Sequence, residues 1–215
     1  MSNITYDYME QYIRDLLPER QGILKELEDY AKENKVPIIH KEVANYLEQM
    51  VGIIKPVRIL ELGTAIGYSS ILMYCSCKTV EHIDTIERDD RMVALAKDNI
   101  EKAGLRENIH VLQGDCLEIL EGLQGKYDLI FIDAGKGHYN EFFPHCMRLL
   151  NDDGVIIADN VLYKGMVVSR EFLVRRKITI VKRMKKFIDM VTKDEKLITS
   201  ILPMGDGIAV IRRKS

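Results

Sequence analysis

Two apolar stretches that end in oxygen-bearing side chains decide the fold of this chain: Tyr127–Lys136, YDLIFIDAGK, and Gly154–Asn160, GVIIADN. Runs this apolar are typical of strands that are buried on both faces of a parallel sheet. In open α/β sheets, ligands bind beyond the carboxyl ends of such strands. Asp133, Asp159 and Asn160 stand at these ends, and two carboxylates with an amide are the oxygen ligands that Mg²⁺ prefers. The stretches therefore predict a divalent-cation site, with solvated turn residues as the alternative.

The apolar pattern on either side predicts a doubly wound α/β domain. Strands are predicted at 58–62, 80–86, 109–112, 129–132 and 155–158, and helices alternate with them. Five strand-then-helix steps indicate a parallel sheet. A helix at 178–191 precedes two more strands, 197–202 and 208–211, which flank the turn-rich PMGDG segment at 203–207. We therefore expect a seven-stranded, mostly parallel sheet with an antiparallel C-terminal hairpin.

Residues before the first strand carry apolar side chains at helical spacing, with breaks at Pro18 and Pro37. We treat 1–215 as a single domain in which N-terminal helices occupy 1–55 and a Rossmann-like core occupies 56–215. These helices carry more apolar surface than an appendage needs, so we expect a homodimer.

The composition is that of an ordinary globular protein, with 47% hydrophobic and 30% charged residues. The N-terminus lacks the basic and apolar regions of a signal peptide, and no apolar run reaches membrane-spanning length. We expect a cytoplasmic protein without a membrane partner. Four cysteines lack metal-ligand spacing and are expected to be reduced thiols: Cys75, Cys77, Cys116 and Cys146.

The net charge of −2 hides a basic segment at 164–186. Nine basic residues and one acidic residue, Glu171, give this segment a charge of +8, so the rest of the chain carries −10. Such a block favours an anionic partner, and a solvated helix face is the alternative.

A glycine turn follows the first predicted strand in LELGTAIG, Leu60–Gly67. Gly63 and Gly67 allow backbone conformations and close ligand approach that side chains obstruct. Ala65 replaces the middle glycine of the dinucleotide fingerprint, which argues against a nicotinamide-dependent oxidoreductase. Glu61, just before the turn, suits a cationic amino-acid group.

Two further strand ends carry carboxylates. Glu87 in IDTIER is placed to accept from both hydroxyls of a ribose, and Asp84 is the alternative on the same strand. Asp115 in QGDC is placed to accept from an exocyclic amine. Together with Glu61, these residues predict an adenosine with a charged amino-acid tail, which is S-adenosylmethionine.

The motifs ELGTAIGYSS, TIER, GD, FIDAGK and ADN occur in the order and spacing of the metal-dependent, catechol-type O-methyltransferases. The chain resembles this family over nearly its whole length, and the terminal hairpin is typical of it. The resemblance implies an α/β, Rossmann-like class I methyltransferase fold and, commonly, a dimer. It implies that Asp133, Asp159 and Asn160 hold Mg²⁺ or another divalent cation. It also implies a set of residues that bind S-adenosylmethionine: Ile39, Glu61, Gly63, Ser69, Glu87, Asp115, Cys116 and Asp133.

Three further segments resemble the bacterial tRNA 5-hydroxyuridine methyltransferases: VPIIHK, DNVLYKGMV and LPMGDGIAVIRRK. This narrower resemblance implies methylation of 5-hydroxyuridine in tRNA to 5-methoxyuridine. The alternative is a small-molecule enzyme acting on vicinal aromatic hydroxyls. Both acceptors offer two adjacent oxygens to a metal, so the core motifs do not separate them. The basic segment favours tRNA, because phosphate contacts supply affinity without reading sequence.

Lys136 matches the family's general-base lysine, and with Asp133 it is predicted to be catalytic. A bound cation disfavours the charged form of a neighbouring lysine, which suits it to accept a proton. A solvated loop lysine is the alternative. Three histidines are given no role: His40, His138 and His145. The chain has no tryptophan, so an aromatic wall over the acceptor is expected from residues such as Tyr68, Tyr139 and Tyr163.

Overall fold

Seven strands form one sheet in the order β3-β2-β1-β4-β5-β7-β6. The computed structural model describes residues 4–169 and 171–214, so Arg170 of the basic segment and residues 1–3 of the predicted N-terminal region lie outside the described residues. The strands are β1 (Arg58–Leu62), β2 (His82–Glu87), β3 (Ile109–Gln113), β4 (Tyr127–Ile132), β5 (Leu150–Ala158), β6 (Leu197–Leu202) and β7 (Ile208–Arg213). Strand β7 runs antiparallel to both of its neighbours, β5 and β6, and the pairs among β1–β5 are parallel. The predicted α/β fold with an antiparallel C-terminal hairpin is confirmed.

Eight α-helices surround the sheet in the described ranges: α1 (Asp7–Leu16), α2 (Gly22–Asn34), α3 (Lys41–Ile54), α4 (Tyr68–Ser76), α5 (Asp90–Lys102), α6 (Cys116–Gly122), α7 (Tyr139–Leu149) and α8 (Ile178–Lys193). A short 3₁₀ helix, Arg175–Lys177, leads into α8. Within the described part of the chain, no helix has the length and apolarity needed to cross a bilayer.

Strand β5 begins at Leu150, five residues before the predicted start at Val155. The residues Asn151–Asp153 are polar, so an apolar pattern does not predict this part of the strand. The register between β4 and β5 also shifts between the pairs Tyr127–Leu150 and Leu129–Val155. Pairing with a neighbouring strand, and not local sequence, extends β5.

Each face of the sheet has its own apolar cluster, because neighbouring strand residues point to opposite faces. Ile59 packs in the cluster that includes α2, α3, α4 and α5, whereas Leu60 packs in the cluster that includes α6, α7 and α8. Helices α2 and α3 therefore share the main core with the strands. Helix α1 differs, since Tyr8, Tyr12 and Leu16 are 70%, 65% and 65% exposed. The homodimer stays a prediction.

Candidate active site

A cavity of about 700 Å³ lies at the carboxyl ends of the five strands β1–β5. Its size falls within the range of roughly 300–1,000 Å³ that is typical of small-molecule sites. Most of the predicted site residues border it: Ile39, Gly63, Glu87, Asp115, Cys116, Asp133, Lys136, Asp159 and Asn160. Residues from the carboxyl ends of five strands and from the segment before α3 thus meet at one place.

The turn between β1 and α4 packs closely against the neighbouring strand ends. Gly63 has a φ of 102°, and a Cβ there would lie 3.1 Å from the backbone nitrogen of Ala134. Its N–H donates to the carbonyl of Ile86 at 3.0 Å. Ala65 adopts a left-handed φ of 45°, and its N–H donates to Glu87 Oε2 at 3.0 Å. The turn therefore fixes the Glu87 carboxylate at the cavity wall.

Glu87 and Asp115 offer carboxylate oxygens on one side of the cavity. Glu87 Oε1 also accepts from the backbone N–H groups of Arg88 at 2.9 Å and Asp89 at 3.0 Å. A carboxylate has about four acceptor positions, so at least one remains for the ligand. Asp115 is exposed and caps α6 by accepting from the N–H of Leu117 at 2.9 Å. Asp84, the alternative to Glu87, is not among the residues bordering the cavity.

Glu61 and Ser69 lie behind the cavity wall and do not border it. Glu61 is fully buried, and burial raises the pKa of its carboxyl to about 7 although neighbouring hydroxyls donate to it. Its Oε2 accepts from Ser70 and from Thr85. Its Oε1 has no hydrogen-bond partner among residues 4–169 and 171–214. The roles of Glu61 and Ser69 toward the cofactor stay predictions.

Three carboxylates gather on the other side of the cavity, from Asp133, Asp159 and Asp206. Burial raises the pKa of Asp159 above its ordinary value, and repulsion from Asp133 raises it further. Burial likewise raises the pKa of Asp133, where Lys136 opposes the shift and Asp206 adds to it. Buried negative charge that one lysine offsets only in part favours a bound cation.

Asn160 completes this oxygen cluster. It has a left-handed φ of 59°, a conformation that Asn tolerates better than most residues. Its N–H donates to Asp159 Oδ1 at 2.6 Å, whereas its own Oδ1 is buried without a partner in the described chain. Buried polar atoms are rarely left unpaired, so this oxygen indicates a missing donor or cation. The donor set fits a hard divalent cation.

Asp206 belongs to the cluster although the sequence reasoning placed it in a turn-rich linker. It is 7% exposed and lies between β6 and β7. Its carbonyl accepts from the N–H of Leu162, and the carbonyl of Gly207 accepts from Val161, both at 2.9 Å. These bonds hold the hairpin turn beside the loop after β5. The sequence signal that could have indicated this role is the position of Asp206 between two glycines in the last hairpin.

The prediction of a tyrosine wall is wrong, since none of the three tyrosines borders the cavity. Tyr68 on α4 faces α2, where its hydroxyl donates to Glu28 at 2.6 Å. Tyr139 is buried and donates to the carbonyls at the ends of β4 and β5, and Tyr163 packs against Met166 and Val181. The aromatic rings that border the cavity instead include Phe142 and His138.

Two of the histidines given no role border the cavity. His138 lies just before α7, with Nδ1 2.6 Å from Glu141 Oε2. His40 is exposed and lies just before α3, and its ring nitrogen is 3.3 Å from Arg14. His145 lies on α7 outside the cavity. The first two extend the polar wall, which the sequence reasoning did not predict.

The basic segment begins at the cavity and continues along the surface. Lys164 borders the cavity, and Arg183 donates to the carbonyl of Gly137 at 3.2 Å. Within 164–186, the exposed basic side chains of the 3₁₀ helix and α8 are Arg175, Arg176, Lys182, Lys185 and Lys186.

Comparison with known proteins adds the family. A family described as O-methyltransferase matches residues 16–214. The chain is similar to a catechol O-methyltransferase of Niastella koreensis, with 33% identity over 175 residues that cover 79% of each protein. A candidate caffeoyl-CoA O-methyltransferase from Staphylococcus aureus has a similar structure, with a TM-score of 0.89, 31% identity, and coverage of 97% of this chain and 100% of that one.

A third similar structure is an O-methyltransferase from Bacillus cereus in complex with SAH. Its TM-score is 0.84 at 25% identity, and the match covers 99% of this chain and all of that one. The family match extends over nearly all of the chain, including the cavity and the C-terminal hairpin that brings Asp206 to it. The chain therefore belongs to the O-methyltransferase family.

Proposed function

We propose that this chain transfers a methyl group from S-adenosylmethionine to one hydroxyl of a small aromatic acceptor with two adjacent oxygens, in the presence of a divalent cation. One observation carries the proposal: an adenosine-compatible wall with Glu87 and Asp115 and a buried oxygen cluster with Asp159 and Asn160 share one cavity. The similarity to a catechol O-methyltransferase and to a protein that binds SAH supports it.

The two sides of the cavity have separate roles in this proposal. Glu87 accepts from the ribose hydroxyls, and Asp115 accepts from the adenine amine. The unpaired Glu61 Oε1, which lies behind the glycine turn, is the acceptor proposed for the ammonium group. Ile39 from the segment before α3 covers the cofactor with an apolar side chain.

Asp133, Asp159 and Asn160 are the proposed ligands of a divalent cation such as Mg²⁺. Asp206 borders the same cluster and adds negative charge to it. When bound, such a cation orients an acceptor oxygen and lowers its pKa. The protein supplies the dry, fixed ligand set, and Tyr139 holds it by donating to the carbonyl of Asp159 at 2.9 Å.

Lys136 borders the cavity close enough to Asp133 and Asp159 to affect both carboxyl groups. Methyl transfer breaks one carbon–sulfur bond and forms one carbon–oxygen bond, and the acceptor hydroxyl must lose its proton. We assign Lys136 Nζ as the group that accepts this proton, while positioning of the two reactants supplies much of the rate.

The acceptor tRNA is a second candidate, favoured by one observation. Exposed basic side chains of the 3₁₀ helix and α8 continue from Lys164 at the cavity edge. Contacts with phosphates at these positions supply affinity that falls with salt. The relatives described above are named for small-molecule acceptors, so the small aromatic diol is the primary proposal.

A transfer assay with labelled S-adenosylmethionine tests both candidates. Catechol should be methylated, whereas phenol, which lacks a second adjacent oxygen, should not. A chelator should abolish transfer and added Mg²⁺ should restore it. Label in tRNA that carries 5-hydroxyuridine, with none in catechol, would establish the second candidate and reject the first. No transfer to either acceptor would reject both.

A charge-reversal variant separates the candidates further. Arg175, Arg176 and Lys182 are exposed and do not border the cavity. Replacing all three with Glu should weaken tRNA binding and flatten its salt dependence, since fewer counterions are released. Turnover of catechol should hardly change. Equal losses on both acceptors would indicate a folding defect, and no loss on tRNA would leave the basic segment as a solvated face.

A further inference from the structure

Two histidines and one aspartate meet on the sheet at the end opposite the cavity. His82 and Asp84 are two residues apart on β2, so both side chains point to the same face. His110 on β3 is the register partner of Asp84, which places its side chain beside them. His82 precedes Glu87 by five residues, a separation of roughly 16 Å along the strand. The three residues form a cluster that the proposed methyl transfer does not use.

The potential ligand atoms of this cluster converge. His82 Nε2 lies 2.8 Å from Asp84 Oδ2, and His110 Nδ1 lies 3.9 Å from Asp84 Oδ1. One ligand atom from each of the three residues falls within 4.8 Å of the others. The imidazole rings are 4.6 Å apart at 69°, so neither ring stacks over the other in a way that blocks its nitrogens.

Neighbouring groups orient the aspartate. Tyr127 Oη donates to Asp84 Oδ2 at 2.7 Å, and Arg58 lies 3.5 Å from the same oxygen. The Arg58 guanidinium sits 5.2 Å from the centroid of the Tyr127 ring. Oδ1, on the side of His110, has neither of these contacts. Groups that hydrogen-bond a ligating carboxylate in this way fix its orientation in metal sites.

We propose that His82, Asp84 and His110 form a binding site for a divalent transition metal of the Zn²⁺ class, separate from the active site. Two imidazoles and one carboxylate are borderline ligands that favour Zn²⁺, Co²⁺ or Ni²⁺ over Mg²⁺. The side chain of His110 is 44% exposed on the edge strand β3, so its ring can turn to close the ligand set. Three protein ligands leave one position to water, as in open zinc sites.

The alternative is a plain hydrogen-bonded network in which Arg58 and Tyr127 already satisfy Asp84. That network accounts for Oδ2. It does not explain why two histidine side chains, His82 and His110, both place a ring nitrogen beside the Asp84 carboxylate near the edge strand β3. A bound metal would replace the His82–Asp84 hydrogen bond and join β2 to the edge strand β3.

Titration with Co²⁺ tests the site, because its visible absorption reports nitrogen and oxygen coordination directly. The titration is done in excess Mg²⁺, which occupies hard oxygen sites. The wild-type protein should bind one equivalent of Co²⁺, and Zn²⁺ should displace it. The double variant His82→Asn/His110→Asn should bind at least about tenfold more weakly. Tyr127→Phe, which keeps the ring and removes the hydroxyl, should weaken binding by roughly 10–100-fold.

His145→Asn is the matched control, a histidine replaced outside both clusters, and should bind Co²⁺ as the wild type does. Circular dichroism verifies that each variant is folded. If the double variant does not fold, the single variant His110→Asn, at an exposed position, replaces it in the test. Absence of Co²⁺ binding in the wild type, or equal binding in His110→Asn, would overturn the proposal. Loss of Co²⁺ binding in Asp159→Ala instead would assign the metal to the cavity. The proposal does not rest on the methyltransferase function, and catechol methylation by the histidine variants should persist.

Discussion

Strand β4 carries an aspartate at each end, and the chain treats the two in opposite ways. Asp128, near the start, accepts from the backbone N–H groups of Val57 and Arg58 at 2.9 Å and from Asn151. Although burial works against it, these bonds hold the pKa of Asp128 below its ordinary value. Asp133, after the strand, has a pKa raised by burial. The protein satisfies the carboxylate of Asp128 itself, whereas that of Asp133 is a proposed cation ligand.

This difference separates a structural carboxylate from a functional one. Negative charge that Lys136 offsets only in part destabilises a fold, so its persistence at Asp133, beside Asp159 and the unpaired Asn160 Oδ1, supports a cation as the group that completes the site. The residue type alone does not distinguish the two roles, because Asp128 and Asp133 are both aspartates at the ends of the same apolar strand.

The largest expected effect comes from removing a carboxylate at the functional end. Asp159→Ala should lower methyl transfer by roughly 10²–10³-fold or more, since positioned electrostatic groups at reacting oxygens have effects of this order. Binding of S-adenosylmethionine should change little, because Asp159 is not proposed to contact the adenosine. Steady-state kinetics with catechol and calorimetry with the cofactor measure the two quantities.

Asp128→Asn, near the start of β4, is the control. It should lose stability, because the backbone donors of Val57 and Arg58 lose a charged acceptor, while turnover per folded molecule stays near that of the wild type. Equal turnover losses in the two variants would remove the distinction between the ends. Full turnover of the wild type in excess chelator would remove the metal from the mechanism.

Lys136→Met tests the proton acceptor. We expect kcat to fall by about 10²-fold, the lower end of the usual contribution of a positioned acid or base, with little change in the KM for the cofactor. Lys182→Met, at an exposed lysine of α8, is the matched control and should keep kcat on catechol. A loss of only a few-fold in Lys136→Met, with an unchanged pH profile, would limit this lysine to positioning the acceptor.

The fold was predictable because its signals are local. Apolar runs mark β1 and β4, glycine punctuates the turn after β1, and the PMGDG segment at 203–207 marks the hairpin. The early start of β5 was not predictable, since it depends on the pairing of Leu150 with Tyr127, and the polar residues Asn151–Asp153 that follow lie within the register shift. Local pattern thus identifies strands where burial is complete and fails where pairing alone extends them.

The residues that border the cavity were predictable where they end a strand, as Glu87 does, or directly follow one, as Asp133 and Asp159 do. Asp206 was missed because its place depends on the long-range pairing of β7 with β5. The orientation of the tyrosines was missed for a related reason. Helical position alone does not tell whether Tyr68 faces the cavity or Glu28 on α2.

Glu61 gives a smaller effect, on stability. Its pKa of about 7 in the folded chain lies above the ordinary value of 4.5, so the folded state holds a proton that the unfolded state releases. The stability of the cofactor-free wild type should therefore fall as pH rises from 4.5 to 7. Glu61→Gln does not titrate there and should gain up to about 3 kcal/mol relative to the wild type above this window.

Urea unfolding in chelator, at pH values below and above that window, measures the difference between the two proteins. Below pH 4.5 the difference in unfolding free energy between Glu61→Gln and the wild type should not change with pH, because Glu61 is then protonated in both the folded and the unfolded state. Glu107→Gln, at an exposed position, is the control and should stay within about 0.5 kcal/mol throughout. A pH-independent Glu61→Gln difference would mean that Glu61 is ionised in the folded protein.

The smallest expected effect concerns the cofactor side of the cavity. Glu87→Ala should weaken S-adenosylmethionine binding by roughly 1–3 kcal/mol, or about 5–150-fold, the range for hydrogen bonds to a charged group. The variant also frees the N–H of Ala65, so the glycine turn loses one tie to β2. Asp90→Ala, an exposed carboxylate three residues later that accepts from Gln113, is the control and should keep cofactor affinity. Calorimetry measures both. Unchanged affinity in Glu87→Ala would place the ribose against another part of the cavity, and Asp84 is not its substitute, because Asp84 is buried among Tyr127, His82 and Arg58.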